Sequence, residues 1–171
     1  MKNILLLLPC VFLFSVSAFA QEWPSFKSTE ENFQISLPAE PGQERTSGTE
    51  MLGRNNHIYS LNKDGIDYTV SVSTFDKAPT EGKDIKRRLD FAVGLVLTVT
   101  EGKLLTSEDI ALQGYPGRFV QIEKNKQIWT LRSFVVKEHM YQLMTTAPKS
   151  KDPNPAVVKF FDSFKLLRLP E

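Results

Sequence analysis

Hydrophobic and polar residues alternate along three stretches in the first half of the chain, and this period of two predicts β-strands with one buried face. Pro38 ends the first stretch, and Asp64-Gly65 joins the second and third in a tight hairpin, because glycine accepts a positive φ. Segment 40–50 is polar and rich in turn-forming residues, so we expect a loop there. The three predicted strands cover 33–37, 57–61 (with a start as early as 52) and 66–73.

After Asp84 the spacing of the apolar residues lengthens to that of an amphipathic helix. We expect this helix to end near Leu97, because the β-branched segment 98–100 is a poor helix former and Gly102 suits a helix end. The basic cluster 86–88 lies off the apolar stripe and predicts a solvated outer face, with acidic partners or anionic headgroups as the alternative contacts. The stripe consists of Ile85, Leu89, Ala92, Val93 and Val96.

Alternation returns beyond the helix and predicts four further strands. A type II turn is predicted over 115–118, directly after Gly114, with Pro116 fixing φ at the second position and Gly117 taking a positive φ at the third. Segment 127–137 is apolar on both faces, which is typical of a central strand that is covered on both sides. The predicted strands cover 103–112, 119–124, 127–137 and 141–147.

A second amphipathic helix is predicted to begin at Asn154-Pro155, where a capping side chain precedes a residue that needs no amide partner. Its apolar stripe contains Val157, Phe160, Phe161 and Phe164. Two such helices must bury their stripes on the faces of a sheet built from hairpins. The predicted fold class is therefore α+β, an α/β/α sandwich with a central, mainly antiparallel sheet of about seven strands.

The first 20 residues differ from the rest of the chain. Lys2 is followed by an apolar run over 4–14 and then by an A-x-A pattern that ends at Ala20. These features predict a signal peptide over 1–20 that is cleaved before Gln21. The apolar run is shorter than the ~20 residues of a spanning helix, so membrane contact is expected only through this signal. The remainder, 21–171, is expected to be a single domain that is periplasmic or secreted.

Removal of the signal changes the charge and the chemistry that the chain can carry. The full chain has 21 basic and 20 acidic residues, and the signal takes away Lys2 together with Cys10, the only cysteine. The mature chain is then neutral and free of thiols. Disulfides, thiol catalysis and cysteine–metal sites are excluded, and neutrality together with export disfavours nucleic acid as a partner.

No motif for a reaction is found along the chain. Of the two histidines, His57 lies on a predicted strand and His139 in a predicted turn, and both lie outside any H-E-x-x-H spacing. The adjacent carboxylates at 30–31 and 108–109 are expected to point to opposite faces, which does not suit paired acid–base work. Neither a G-x-S-x-G elbow nor a phosphate-binding loop occurs. We therefore assign no catalytic, metal-binding or cofactor-binding residues and expect no cofactor.

The layout resembles the PsbP-like domain family, which comprises the extrinsic photosystem II subunit and exported bacterial relatives. The resemblance extends over most of 32–167 and rests on four segments. It implies an α/β/α sandwich with an antiparallel central sheet and a role as a binding or assembly factor. A lysine-rich docking stretch and a long basic loop are missing, so a photosystem role is not expected. The four segments are NFQISLP at 32–38, the hairpin through 64–65, GYPGR at 114–118 and FFDSFKL at 160–166.

The expected function is a non-enzymatic binding or assembly module that acts through protein–protein contacts with an envelope protein. The alternative is a small-ligand or lipid-binding domain with an apolar pocket between sheet and helix. A hydrolase with a scattered site is a third hypothesis, which no motif supports. Among the aromatic residues, Trp129 is expected in the core. Trp23 and Phe26 stand in a polar segment that no strand claims, so they either anchor an interface or fold back onto the domain.

Overall fold

The computed structural model describes residues 22–47 and 55–168. The predicted cleavage site at Ala20 and Gln21 and the early strand start at 52 lie outside these residues. In chain order the elements are β1 Ser25–Ser28, β2 Phe33–Ser36, β3 Gly42–Ser47, β4 Asn55–Lys63, β5 Ile66–Thr74, α1 Gly82–Thr100, β6 Lys103–Leu112, β7 Tyr115–Lys124, β8 Gln127–Val136, β9 His139–Pro148, α2 Pro155–Asp162 and β10 Lys165–Leu166. No helix among the described residues is long and apolar enough to cross a membrane.

The central sheet has seven strands in the order β3-β4-β5-β9-β8-β7-β6, and every neighbouring pair is antiparallel. The predicted fold class and the predicted number of strands are confirmed, but the membership differs. The first predicted strand, now β2, pairs with β1 and β10 in a separate three-stranded sheet. The expected loop over 40–50 is wrong, because it contains β3. Residues 42–45 of this edge strand are exposed, and the strand pairs with β4 without any apolar alternation.

Both faces of the central sheet are covered. Helix α1 packs its stripe on one face, and α2 packs on the other together with the small sheet. β8 supplies both cores: Leu131 and Val135 face α1, whereas Phe134 and Val136 face α2. The three layers are therefore α1, the seven-stranded sheet, and α2 with the small sheet. The double-sided burial expected for this strand is confirmed.

Helix α1 is longer than predicted and continues through the β-branched segment to Thr100. The hydroxyls of Thr98 and Thr100 donate to the carbonyls of Gly94 and Val96, each at 2.8 Å, so they are satisfied within the helix. Glu101 ends the helix in a left-handed conformation with φ of 49°. The terminating residue is thus Glu101 rather than the glycine that follows it.

The type II turn predicted over 115–118 is wrong, because this segment lies inside β7. The turn is formed instead by Gln113 and Gly114, whose φ values are 49° and 88°. Two consecutive residues with positive φ match the twist of the flanking strands, which suits a two-residue hairpin between β6 and β7. Gly114 is therefore a turn residue as predicted, whereas Pro116 pairs with Ala111 inside the strand.

Gly117 is required for close packing and not for a turn. It lies opposite Phe134 in the register of β7 and β8, and its φ is not positive. A Cβ at this position would collide with the Phe134 ring and with the carbonyl oxygen of Ser133. The residue thus allows β7 and β8 to approach beneath an aromatic side chain.

Candidate functional site

A polar cleft lies where the turn between β1 and β2 meets the ends of β4, β5 and β9. The turn carries Glu30 and Glu31, and its backbone is held in place from two sides. The amide of Glu31 donates to the Ser28 hydroxyl at 3.2 Å, and the buried Tyr141 hydroxyl donates to the Glu31 carbonyl at 3.0 Å. Burial raises the pKa of the Tyr141 phenol, so this donor keeps its proton. Both carboxylates therefore stand on a well-anchored turn.

His57 forms the buried wall of this cleft and is only 6% exposed. Its Nδ1 lies 3.1 Å from Glu31 Oε1 and 2.9 Å from the Tyr59 hydroxyl. The Tyr59 hydroxyl is in turn 3.0 Å from the hydroxyl of Ser28. Burial raises the pKa of Tyr59, so a neutral phenol separates the serine from the imidazole. This arrangement is a hydrogen-bonded chain and does not match a catalytic triad, in which serine meets histidine directly.

Glu30 is paired with Arg45 on the exposed side of the same cleft. The guanidinium donates two hydrogen bonds to the carboxylate, at 2.9 and 2.5 Å. This hydrogen bonding lowers the pKa of Glu30 and raises that of Arg45. Because both side chains are well exposed, the pair fixes orientation more than it stabilises the fold.

The second histidine of the chain reaches the same region. His139 begins β9, with Nδ1 3.2 Å from the Thr74 hydroxyl and Nε2 3.4 Å from a Glu138 carboxylate oxygen. Two cavities of about 380 and 630 Å³ meet here, and both are lined by Glu30, Glu31 and His139. We call the residues around the smaller cavity the His57 cleft. Its members include Glu30, Glu31, Arg45, His57, Thr74 and His139.

The structure corrects two expectations about these residues. The carboxylates at 30–31 were expected to point to opposite faces of a strand, but they lie in a turn and line one cleft. His139 was expected in a turn, but it begins β9 and lines the same cavity as His57. The carboxylates at 108–109 do lie within β6, where Asp109 pairs with Arg118 at 3.0 Å.

A separate cavity, of about 600 Å³, lies between α2 and strands β6, β7 and β8. Its walls are mainly aromatic and aliphatic, and Arg132 bridges Asp162 at 3.0 Å beside them. It corresponds in place to the pocket between sheet and helix that the alternative function requires. The large apolar lining residues are Ile110, Leu112, Phe119, Phe134, Phe161 and Phe164.

A smaller concavity, of about 190 Å³, runs beside α1 over the part of the sheet that this helix leaves open. Phe91, Ala92 and Leu95 form its helical wall. β4, β5 and β9 provide its floor. We call this concavity the α1 groove; its floor residues are Asn56, Ile58, Ser71, Ser73, Met140 and Gln142.

The basic cluster on α1 is tied to groups within the chain. Lys86 and Arg87 form ion pairs with Asp90 and Asp84 on their own helix. Arg88 donates to the backbone carbonyl of residue 77 at 2.7 Å, and its guanidinium lies 4.0 Å above the ring of Phe75. Burial lowers the pKa of Arg88. Lys86 and Arg87 are therefore paired with carboxylates of the same helix, whereas Arg88 is held by the segment that precedes it.

The N-terminal aromatic residues fold back onto the domain. Trp23 makes an edge contact with Tyr68 at 5.8 Å between ring centroids, and Phe26 lies 5.0 Å from Tyr59. Phe26 belongs to β1, a four-residue strand whose single apolar side chain provides no alternation to detect. Trp129, which was expected in the core, is partly buried and packs against the edge of the core beneath α1.

Comparison with known proteins supports the fold and leaves the function open. No family model matches the chain, and no curated protein sequence matches it. The solution structure of cyanobacterial PsbP (CyanoP) from Synechocystis sp. PCC 6803 matches with a TM-score of 0.59 at 10% identity. The match covers 88% of this chain and 95% of that one. At this identity the likeness concerns the fold alone, and the chain has a PsbP-like α+β fold, as the sequence predicted.

Proposed function

We propose that this protein is an exported, non-catalytic binding module that docks onto an envelope protein through the α1 groove. The signal pattern over 1–20 supports export. The PsbP-like fold supports a binding role, since the family that the sequence resembles consists mostly of binding and assembly factors. The observation that carries the proposal is an apolar stripe on α1 that faces water.

This stripe consists of Phe91, Leu95 and Val99, which are spaced four residues apart and so lie along one side of the helix. It is distinct from the stripe that packs on the sheet. Leu95 is 41% exposed and Val99 is 72% exposed. Exposed apolar side chains beside a groove are typical of sites where proteins bind one another. A purely structural helix would carry polar residues at these positions.

The side chains of the groove floor limit the kind of partner surface that can bind there. Its polar members are hydroxyl and amide side chains, and none of the described side chains that line the groove is charged. Charged groups on a partner would lose hydration here without gaining an ion pair. The fitting partner surface is therefore apolar at its centre, with uncharged hydrogen-bonding groups around it.

The test compares two exposed valines on the two helices. Val99→Asp places a charge on the stripe, and Val158→Asp places the same charge on α2, where the side chain is 48% exposed. Tagged wild-type and variant proteins are used to capture partners from detergent-solubilised envelope, with quantitative mass spectrometry of the bound proteins. We expect one partner to be lost from the Val99→Asp sample and retained by the Val158→Asp sample. Equal capture by all three proteins, or no enrichment by the wild type, would overturn the proposal.

A second candidate function rests on the cavity beneath α2. Its volume of about 600 Å³ lies in the usual range for small-molecule sites, and its walls carry four phenylalanines. Native mass spectrometry of gently purified protein, before and after organic extraction, tests this candidate. A small apolar mass that is lost on extraction would favour ligand binding over protein docking.

A further inference from the structure

We propose that the His57 cleft binds a divalent transition-metal ion, with His57, Glu31 and Glu30 as its protein ligands. Each of these residues offers one ligand atom, and the three atoms lie within 4.8 Å of one another. Imidazole nitrogen combined with carboxylate oxygen is a ligand set that suits Zn²⁺ or Mn²⁺. Ca²⁺ and Mg²⁺ prefer oxygen alone, so they should bind far more weakly.

The distance between the two inner ligands already fits a metal ion. His57 Nδ1 and Glu31 Oε1 are 3.1 Å apart. Two ligands at about 2.0–2.1 Å from a tetrahedral Zn²⁺ are separated by about 3.3 Å, so the pair needs almost no rearrangement. The ion would take the place of a proton shared between these two atoms.

The burial of the Glu31 and His57 side chains favours the binding of a cation. The Glu31 side chain is 13% exposed and the His57 side chain 7%, so the carboxylate is largely removed from water. A buried carboxylate beside an imidazole is poorly compensated unless a positive charge joins it. A divalent cation supplies that charge. The anchored turn holds Glu31 in place before the ion arrives. The Tyr59 hydroxyl contacts the same Nδ1 and must give up that contact when the ion binds, and the Ser28 hydroxyl is its remaining partner.

The open side of the cleft provides access and further ligands. The smaller cavity extends from the three ligands to Asn55, Thr74 and His139, which line its walls. Water molecules in a cavity of about 380 Å³ can complete the coordination. Such a site would exchange its ion with the surroundings, unlike a closed structural zinc site.

Substitution of Arg45 should change the Zn²⁺ affinity in a defined direction, because Arg45 competes with the ion for the Glu30 carboxylate. Its guanidinium occupies both oxygens of that carboxylate. Binding of a cation must loosen this pair and must also overcome the positive charge of the arginine. Replacement of Arg45 by glutamine should therefore tighten Zn²⁺ binding, by about fivefold.

Isothermal titration of the metal-stripped protein with Zn²⁺, and separately with Ca²⁺, tests the proposal. We expect one Zn²⁺ per chain and no comparable binding of Ca²⁺. Glu31→Gln should weaken Zn²⁺ binding about tenfold or more. The matched control, Glu108→Gln, changes an exposed carboxylate on β6 and should leave the affinity unchanged. Absence of Zn²⁺ binding, or equal loss in the two glutamine variants, would overturn the proposal.

A measurement on the wild-type protein tests the same assignment without depending on the folding of a variant. Long-range ¹H–¹⁵N spectra report the imidazole nitrogens of both histidines during the zinc titration. We expect the Nδ1 signal of His57 to shift and saturate at one equivalent. Zinc that binds without changing the His57 imidazole would place the ion elsewhere and refute the assignment.

Discussion

Gly117 is the position where one added methyl group should cost most. It faces Phe134 across β7 and β8, and a Cβ on it would stand 2.5 Å from the carbonyl oxygen of Ser133 and closer still to the Phe134 ring. Carbon–oxygen contacts in proteins begin at about 3.3 Å, so the neighbours must retreat by about 0.8 Å. β8 is hydrogen-bonded to a strand on each side and cannot move without stretching a ladder.

The expected penalty of Gly117→Ala is that of an over-packed core, about 2–3 kcal/mol. For a domain of this length it lowers the melting midpoint by about 4–12 °C. The matched control is Gly94→Ala in α1, where an added Cβ meets nothing within 4 Å. Alanine is favoured over glycine inside a helix by about 0.5–1 kcal/mol, so this variant should melt about 1–4 °C higher.

Differential scanning calorimetry of the two variants and the wild type in one buffer measures both shifts. The same substitution is expected to act with opposite signs at the two positions, which removes any general effect of alanine. A Gly117→Ala protein that melts with the wild type would refute the close approach of β7 and β8. A Gly94→Ala protein that loses stability would refute the exposed helical environment assigned to that residue.

Three further predictions concern α2 and the buried Tyr68. Phe161→Ala should cost about 3–5 kcal/mol, because the side chain is buried in the main core, whereas Val158→Ala on the exposed side of α2 should change the thermal midpoint little. Asn154→Ala should cost about 0.5–2 kcal/mol in urea unfolding, because the side chain caps α2 by accepting a hydrogen bond from the amide of residue 156 at 2.9 Å. Burial raises the pKa of Tyr68 to about 12 from its ordinary value of 10.0. The contribution of the neutral Tyr68 phenol to the free energy of unfolding is complete below pH 10 and is lost as the pH rises through 12. Urea unfolding of Tyr68→Phe should therefore show a smaller decline in that free energy between the two pH values than the wild type shows.

Elements that bury one face could be predicted from the sequence, because a buried face repeats apolar residues with the period of the strand or helix. β5 is the clearest example, since its buried Ile66, Tyr68, Val70 and Val72 alternate with less buried polar residues. β3 follows the opposite rule. It stands at the sheet edge and carries no large apolar side chain, so its hydrogen bonds to β4 make it a strand. Propensity and pattern cannot detect such a strand, because its partner decides its conformation.

The His57 cleft was hidden for a related reason. Glu31 and His57 are 26 positions apart, and the packing of the small sheet on the large one brings them together. The sequence pattern did not predict β1, whose pairing with β2 forces 29–32 into a turn. Once those residues form a turn, the two adjacent carboxylates no longer have to point to opposite faces. A prediction of the short strand would therefore have led to the site.

β4 links the two proposals and determines which variants test them separately. His57 faces the cleft, whereas its neighbour Ile58 faces the α1 groove, because successive residues of a strand point to opposite sides. A substitution that disturbs the pairing of β4 would damage both surfaces and could not distinguish one function from the other. Val99 and Glu31 avoid this difficulty, since one lies on α1 and the other in the turn before β2. Loss of partner capture in Val99→Asp together with unchanged Zn²⁺ affinity would show that the two surfaces work independently.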